Sequence, residues 1–330
     1  MKIAHKGIID MKFVYVLTSS LDDFYYEQFF LSATSLRLHN PKAHVVVLID
    51  SKTKQNLVGK RSAYEQMVSE VKIISPPSEL SQKEASRWLK TSIHHYVDGD
   101  FIFIDCDTVI AKSLDPNFHA IVQVGAVLDT HVTLEQHHSF SYFQKEDEKA
   151  GFSSSMKTNA RYNGGLVYCK DDTLGREFFE RWHSLWIEGR KKGCSQDMPS
   201  LNQANCDMGE IVAELGGEWN CQISHNGLPY LHEAAIIHYF STSLVSFSPA
   251  FILASSEILS RIRTLGAIPS EVYGLLKIPQ TAFVNRSRIV SDETTLDIID
   301  SAYFSKLLSL RRRHKKLFFM IDKYILRKNV

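Results

Sequence analysis

Apolar residues along the chain fall into short runs separated by stretches of helical spacing. Phe13 to Leu17, Val45 to Ile49, Val71 to Ile74 and Phe101 to Ile104 read as strands. Between them, residues 27–38 place Phe29, Phe30, Ala33 and Leu36 at helical spacing and stop at Asn40-Pro41. Residues 84–97 set Trp88, Leu89, Ile93, Tyr96 and Val97 near one stripe. Phe101 to Ile104 has no polar position, as expected of a strand covered on both faces. Strands alternating with helices over residues 11–130 predict an α/β fold with a mostly parallel sheet. The second half is less regular. Residues 122–128, 166–169, 211–215 and 234–238 read as strands, and 173–189 as an amphipathic helix with Phe178, Phe179, Trp182, Leu185 and Trp186 inward. Residues 131–160 read as a long loop with one short helix, and the pattern after Asn285 is helical. The simplest division is a domain at 11–285 followed by a helical segment at 286–330.

Composition narrows the class. With 330 residues, 44% of them hydrophobic, the chain can build a sizeable core, which excludes a disordered or collagen-like protein. The net charge of +1 gives no overall field for nucleic acid. It hides an asymmetry, because Lys306 to Val330 holds nine Lys/Arg and one acid, Asp322, leaving 29 basic against 36 acidic residues elsewhere. Leu, Phe, Ile and Tyr interleave with those cations over 304–330. The mixture reads as an amphipathic surface for an anionic membrane, with a helix packed on the core as the alternative. No apolar run reaches the ~18 residues of a membrane span. Residues 1–10 lack the apolar middle of a signal peptide. Five cysteines without a CxxC pair read as reduced thiols, so the expected location is cytoplasmic, at the inner face of the membrane.

The most informative stretch is Phe101-Ile102-Phe103-Ile104-Asp105-Cys106-Asp107. Two carboxylates cannot follow an apolar strand into a core without partners. They therefore sit where the strand emerges, at the sheet edge where open α/β folds bind ligands. At i and i+2 on extended chain both point to the same side. Two hard oxygen donors there suit Mn²⁺ or Mg²⁺, and a solvated turn is the plain alternative. Two metal-dependent chemistries use such a pair. In haloacid-dehalogenase-like phosphohydrolases Asp105 would be the nucleophile and Asp107 the acid/base. In nucleotide-sugar transferases the pair holds a metal on a diphosphate. About ninety residues of α/β pattern precede the pair, as a nucleotide-binding half requires.

With that context the chain resembles GT-A-fold glycosyltransferases of family 8, the glycogenin and bacterial lipopolysaccharide glucosyl/galactosyltransferase group. The resemblance spans about Met11 to Phe240. It rests on Phe13 to Ser19, Arg87 and Lys90, Asp105-Cys106-Asp107, Gly125 to Asp129, Tyr162-Asn163-Gly164-Gly165-Leu166, Gln196-Asp197, Glu218-Trp219-Asn220 and Ile236-Ile237-His238-Tyr239. It implies a Rossmann-like, mostly parallel sheet with a helical C-terminal appendage. It implies a retaining, metal-dependent transfer of a hexose from a UDP-sugar to a glycan or glycolipid acceptor, lipopolysaccharide or another surface polysaccharide. Thr18 and Ser19 would line the base and ribose pocket. Asp105, Asp107 and His238 would bind Mn²⁺ or Mg²⁺, with Cys106 and Gly164 at the cofactor site. Arg87 or Lys90 would reach the donor phosphates. Asp129, Asn163, Gln196 and Asp197 would hold the transferred sugar, and the acceptor hydroxyl would attack from the front face near Gln196. The chain departs from the family in having no Lys in the run Tyr239 to Leu244 that follows His238, and Ser195 before Gln196-Asp197. Those departures keep a non-catalytic sugar-nucleotide-binding protein as an alternative.

Several residues have plainer readings. As a ligand, His238 must be neutral, with an acceptor for its second nitrogen. Gly164-Gly165 reads as a turn or as backbone closely approached by the sugar. Neighbouring residues on a helix do not face each other, so His94-His95 and His137-His138 read as surface or loop histidines. Trp219 reads as core, with Asn220 turned into the site.

Overall fold

The computed structural model describes residues 11–115, 121–240, 250–284 and 293–326. Seven strands form the main sheet: β1 (Lys12–Leu17), β2 (His44–Asp50), β3 (Glu70–Ile74), β4 (Phe101–Ile104), β6 (Val124–Leu128), β7 (Tyr162–Cys169) and β8 (Val212–Glu214). Their order is β3-β2-β1-β4-β7-β6-β8. The first four are parallel, β7 runs antiparallel to β4 and β6, and β8 is parallel to β6. A small second sheet joins β5 (Thr108–Ile110), β10 (Ile236–His238) and β9 (Cys221–Gln222), with β10 central.

The fully apolar strands are covered on both faces, as their sequence requires. On one side Tyr15, Val47 and Ile102 pack with Phe29, Phe30 and Leu36 of α1 (Tyr25–His39). On the other, Val14, Val46, Phe103 and Val167 pack with Leu89 of α3 (Gln82–Thr91), Phe178 and Trp182 of α6 (Thr173–Lys191) and Leu201 of α7 (Asp197–Asp207). Helix α3 starts where Ser81 and Glu84 form a reciprocal capping box. It ends at Thr91, short of the expected helix to 97, and a 3-10 turn carries His94 and His95. A six-residue helix, α2 (Ser51–Asn56), follows β2. Residues 131–160 hold more structure than a long loop: α4 (Phe140–Ala150) and α5 (Ser154–Lys157) lie within them. The 166–169 strand extends back to Tyr162, so Asn163, Gly164 and Gly165 lie on strand β7 rather than in a turn.

The chain divides between residues 284 and 285 into two compact units. The first ends with α8 (Ser256–Leu265) and α9 (Ser270–Leu276). The second holds α10 (Glu293–Asp300), α11 (Ala302–Arg313) and α12 (Lys315–Ile321). The basic segment is not one continuous amphipathic helix, because His314 leaves helical geometry (φ −134°, ψ 61°) between α11 and α12. No helix among the described residues is long and apolar enough to cross a membrane. The run after Phe240 that lacks Lys, the first ten residues and the last four of the basic tail lie outside the described residues.

Candidate active site

Strand pairing assembles a three-donor cluster from distant parts of the chain. β4 ends at Ile104, and the Asp105 N–H donates to the Gly165 carbonyl (2.9 Å), so Asp105 leaves the sheet edge beside β7. The short strand β5 then pairs antiparallel with β10, Thr108 opposite His238, and the Tyr239 N–H donates to the Asp107 carbonyl (3.1 Å). One carboxylate oxygen from each of Asp105 and Asp107 and one His238 nitrogen thereby lie within 4.8 Å of one another. β9 lies parallel to β10 with Gln222 opposite His238, which brings Asn220 alongside.

This donor set fits a divalent cation. His238 Nδ1 lies 2.9 Å from Asn220 Oδ1, an acceptor, so that nitrogen carries the proton. The other, Nε2, then presents its lone pair 3.2 Å from Asp107 Oδ1. Two acceptors at that separation repel unless a cation or a further proton lies between them. Two carboxylates and one neutral imidazole match Mn²⁺ or Mg²⁺ with sites left for other oxygens.

Arg87 and Lys90, three residues apart on one face of α3, meet these acids. Lys90 Nζ lies 3.4 Å from Asp105 Oδ1 and 2.7 Å from Asp197 Oδ2. Arg87 Nε lies 3.3 Å from Asp197 Oδ1, and its Nη2 donates to Gln196 Oε1 (2.7 Å). Burial raises the Asp105 carboxyl and outweighs the pull of Lys90. Burial works the same way on Asp197, but there Lys90 and Arg87 win and hold it well below the usual carboxylate range. Asp197 is thus a fixed anion at the first position of α7. Burial pushes the Cys106 thiol well up, and its Sγ donates to the Val16 carbonyl (3.3 Å), so it is an unreactive wall of the site.

A cavity of about 530 Å³ opens over this cluster, and Thr18, Arg87, Lys90, Asp105, Cys106, Asp107 and Asp197 all line it. Asp22, Asp23, Tyr25, Gln28, Gln82, Lys83 and Ser86 line it too. Asp22 and Asp23 come from the loop before α1, Tyr25 and Gln28 from α1, and the other three from α3, where Lys83 and Ser86 fall at helical spacing with Arg87 and Lys90. Ser19 serves the loop rather than the cavity, its hydroxyl donating to Asp23 Oδ1 (2.7 Å). Gln82 Nε2 donates to Asp23 Oδ2 (2.7 Å) and to the Thr18 carbonyl (3.0 Å), tying that loop to α3.

Asp129 and Asn163 stand behind the cluster, outside the cavity lining. Asn163 Nδ2 donates to Asp129 Oδ1 (2.8 Å), and Asn220 Nδ2 donates to Asn163 Oδ1 (3.0 Å). Burial opposes the Asp129 charge, yet His137 and Asn163 together hold its carboxyl below the usual range. His137 is a loop histidine, but a buried one, 3.3 Å from Asp129 Oδ2. The two glycines have distinct reasons. A Cβ on Gly165 would lie 2.3 Å from His238 Cε1, so that position is bare to admit the imidazole. A Cβ on Gly164 would lie 3.1 Å from Asp197 Oδ2 and 3.2 Å from Lys90 Nζ, facing the ion pair. The adjacent histidines 94 and 95 also differ from expectation. In a 3-10 turn both Nε2 atoms reach Glu180 Oε2, at 3.0 and 2.9 Å.

The family model of Glycosyl transferase family 8 matches residues 16–243, which carry β1, the acid pair, β7, α7 and β10. The chain belongs to glycosyltransferase family 8. Within that family the Asp105-Cys106-Asp107 run has a glycosyltransferase setting, and the phosphohydrolase reading falls away. No curated protein sequence matches the chain. Among solved structures, it is similar to the galactosyltransferase LgtC in complex with donor and acceptor sugar analogues, at 15% identity and a TM-score of 0.51, covering 80% of this chain and 99% of that one. An active-site mutant of LgtC matches at 16% identity and a TM-score of 0.53, with the same coverage. At such identities the likeness concerns the fold, and it is the GT-A fold. Mouse xyloside xylosyltransferase 1 matches at 13% identity and a TM-score of 0.43, over 71% of this chain and 98% of that one.

Proposed function

We propose that this glycosyltransferase moves a hexose from a UDP-sugar to a glycan or glycolipid acceptor, with Mn²⁺ or Mg²⁺ held by Asp105, Asp107 and His238. The observation that carries the reading is the convergence of those three donors within 4.8 Å of one another, with Asp105 and Asp107 lining the 530 Å³ cavity. When bound, the cation neutralises charge that grows on a diphosphate leaving group. The chain's own residues do the rest. Thr18 and the Ser19–Asp23 loop border the nucleoside. Arg87 and Lys90 supply the positive charge that a Lys after His238 does not. Asp197 stays ionised beside Gln196, placed to steady positive charge on the sugar, and Gln196 lies where an acceptor hydroxyl attacking from the front face would pass. Charge fixed before the reaction needs no reorganisation during it. The basic, apolar segment at 304–330 suits an acceptor displayed on an anionic membrane surface, such as a lipopolysaccharide precursor.

The test is a melting-temperature and UDP-release screen with UDP-glucose, UDP-galactose and their N-acetyl forms, with Mn²⁺ or EDTA. Ligand bound to the folded state raises the melting temperature by mass action. A Mn²⁺-dependent rise lost in Asp107→Ala, with slow UDP release, is expected. The same rise in EDTA, or none with any UDP-sugar, would overturn the reading.

A further inference from the structure

The hydrogen bonds behind His238 run in one direction, and that direction starts at a charge. Asp129, held ionised, can only accept. It therefore sets the amide of Asn163, whose Nδ2 donates to it at 2.8 Å. Asn163 Oδ1 is then an acceptor, and it receives both the Gly165 N–H (2.8 Å) and Asn220 Nδ2 (3.0 Å). That contact turns Asn220 Oδ1 towards His238 Nδ1, 2.9 Å away. Each amide has one orientation that satisfies both of its neighbours. The far end is fixed as well. The Ser139 N–H donates to His137 Nδ1 (3.0 Å), so the His137 proton sits on the nitrogen facing Asp129 Oδ2 at 3.3 Å.

Burial makes the arrangement strict. Asp129, Asn163, Asn220 and His238 are all at least nine-tenths buried, and Asn220 has no exposed surface. No water can replace a partner, so flipping one amide would leave acceptors facing acceptors. The turn that aims Asp129 is also unusual: Thr130 and His131 both have positive φ, 54° and 58°. Gln222 braces it, accepting from the Thr130 N–H (2.9 Å) and donating to the Leu128 carbonyl (2.8 Å). Backbone strain of this kind persists only where the surroundings over-determine it.

We propose that Asn220, through Asn163 and Asp129, is a positioning residue that locks His238 as the Nδ1–H tautomer, so that Nε2 is always the nitrogen presented to the Asp105–Asp107 pair. The inference rests on the metal reading of that pair for its purpose, but not for its geometry. Asn220 does not line the cavity. It acts by removing the tautomer in which Nε2 carries the proton and cannot ligate.

The test uses the full-length protein labelled with ¹⁵N-histidine, free of metal and at alkaline pH, above the ordinary imidazole range, so that no second proton stands in for the cation. Imidazole ¹⁵N spectra report which ring nitrogen carries the proton, and His238→Gln identifies the His238 signals. Wild type is expected as a single Nδ1–H tautomer. Asn220→Ala is expected to give a mixture and to weaken Mn²⁺ binding, read by the paramagnetic resonance of free Mn²⁺ with UDP present, by about 10–100-fold. Asp129→Asn lies three links away, keeps size and guards against a misfolded first variant. It should also loosen the lock, because the Gly165 N–H alone then fixes the Asn163 amide. A wild-type His238 with its proton on Nε2, or folded variants of Asn220 and Asp129 that keep one tautomer and full affinity, would overturn the proposal. A locked tautomer in a protein that binds no Mn²⁺ would instead uphold the lock and defeat the metal reading.

Discussion

Among the described residues, two groups of three bring histidine and carboxylate ligand atoms within 4.8 Å of one another: Asp105, Asp107 and His238, and His94, His95 and Glu180. By composition and distance they are near equals. They differ in what lies behind them. His238 is buried, and its second nitrogen is committed to Asn220. Glu180 is largely exposed, with 58% of its side chain open, and both imidazoles already donate to it. Donation to Glu180 puts the His94 proton on Nε2, the nitrogen that faces the carboxylate, and its Nδ1 is buried with no hydrogen-bond partner among the described residues. A ligand site needs a defined lone pair as well as a short distance. The first cluster has one; in the second both imidazoles are satisfied by hydrogen bonds to one carboxylate.

The sharpest way to break this contrast is Gly165→Ala. Its Cβ would fall 2.3 Å from His238 Cε1 and 2.9 Å from Asn163 Oδ1, so ring and amide must both move. Mn²⁺ affinity should drop by at least about 100-fold, beyond the usual cost of losing an outer partner, while far-ultraviolet dichroism stays native. Unchanged affinity would mean that His238 is not a ligand.

Burial alone can be tested on a third charged cluster. Glu27 is fully buried and is gripped by Arg61 (3.0 Å) and Arg263 (2.9 Å). Arg61 also donates to the Ser20 carbonyl (2.7 Å), so the pair holds the loop at the cavity rim. Glu27→Gln leaves two cations facing a neutral amide. Urea unfolding should show a loss of about 3 kcal/mol, and a loss under about 1 kcal/mol would show water reaching the cluster.

pH offers a smaller effect on the histidines that are buried neutral. Burial lowers His183, beside the exposed cluster, and His131 from 6.5 to about 4. The unfolded chain takes up these protons first, so their contribution is complete above pH 6.5. It falls away as the pH drops towards about 4 and is then lost. A melting-temperature profile should decline across that window, and His183→Phe should flatten part of the decline. Glu180→Gln should do least: a stability change within about 0.5 kcal/mol, as for an exposed pair, and no change in Mn²⁺ binding.

Much of this was legible in the residues themselves. The apolar run 101–104 ending in two acids located the sheet edge, because a core strand cannot carry unpaired carboxylates. Arg87 and Lys90 were legible as one helix face, three residues apart. Local chemistry sets both. The reason for Gly165 was not legible. The sequence suggests a turn or a sugar, whereas β7 runs through it and the bare position admits an imidazole from residue 238. Nor did spacing separate His94-His95 from His238, since a 3-10 turn can aim neighbouring side chains where an α-helix cannot.

The sequence by itself determined the α/β alternation, the acid pair at a strand end and the family to which the chain belongs, for hydrophobic periodicity and short motifs are local properties. Tertiary structure decided which nitrogen of His238 faces the acids, where Asp129 and Asn163 spend their hydrogen bonds, and which histidine cluster is only hydrogen-bonded to a carboxylate. Those outcomes depend on pairing residues far apart in the chain: β5 with β10, and β9 alongside it. A buried polar group has only the partners that the fold brings to it, and only the folded chain chooses them.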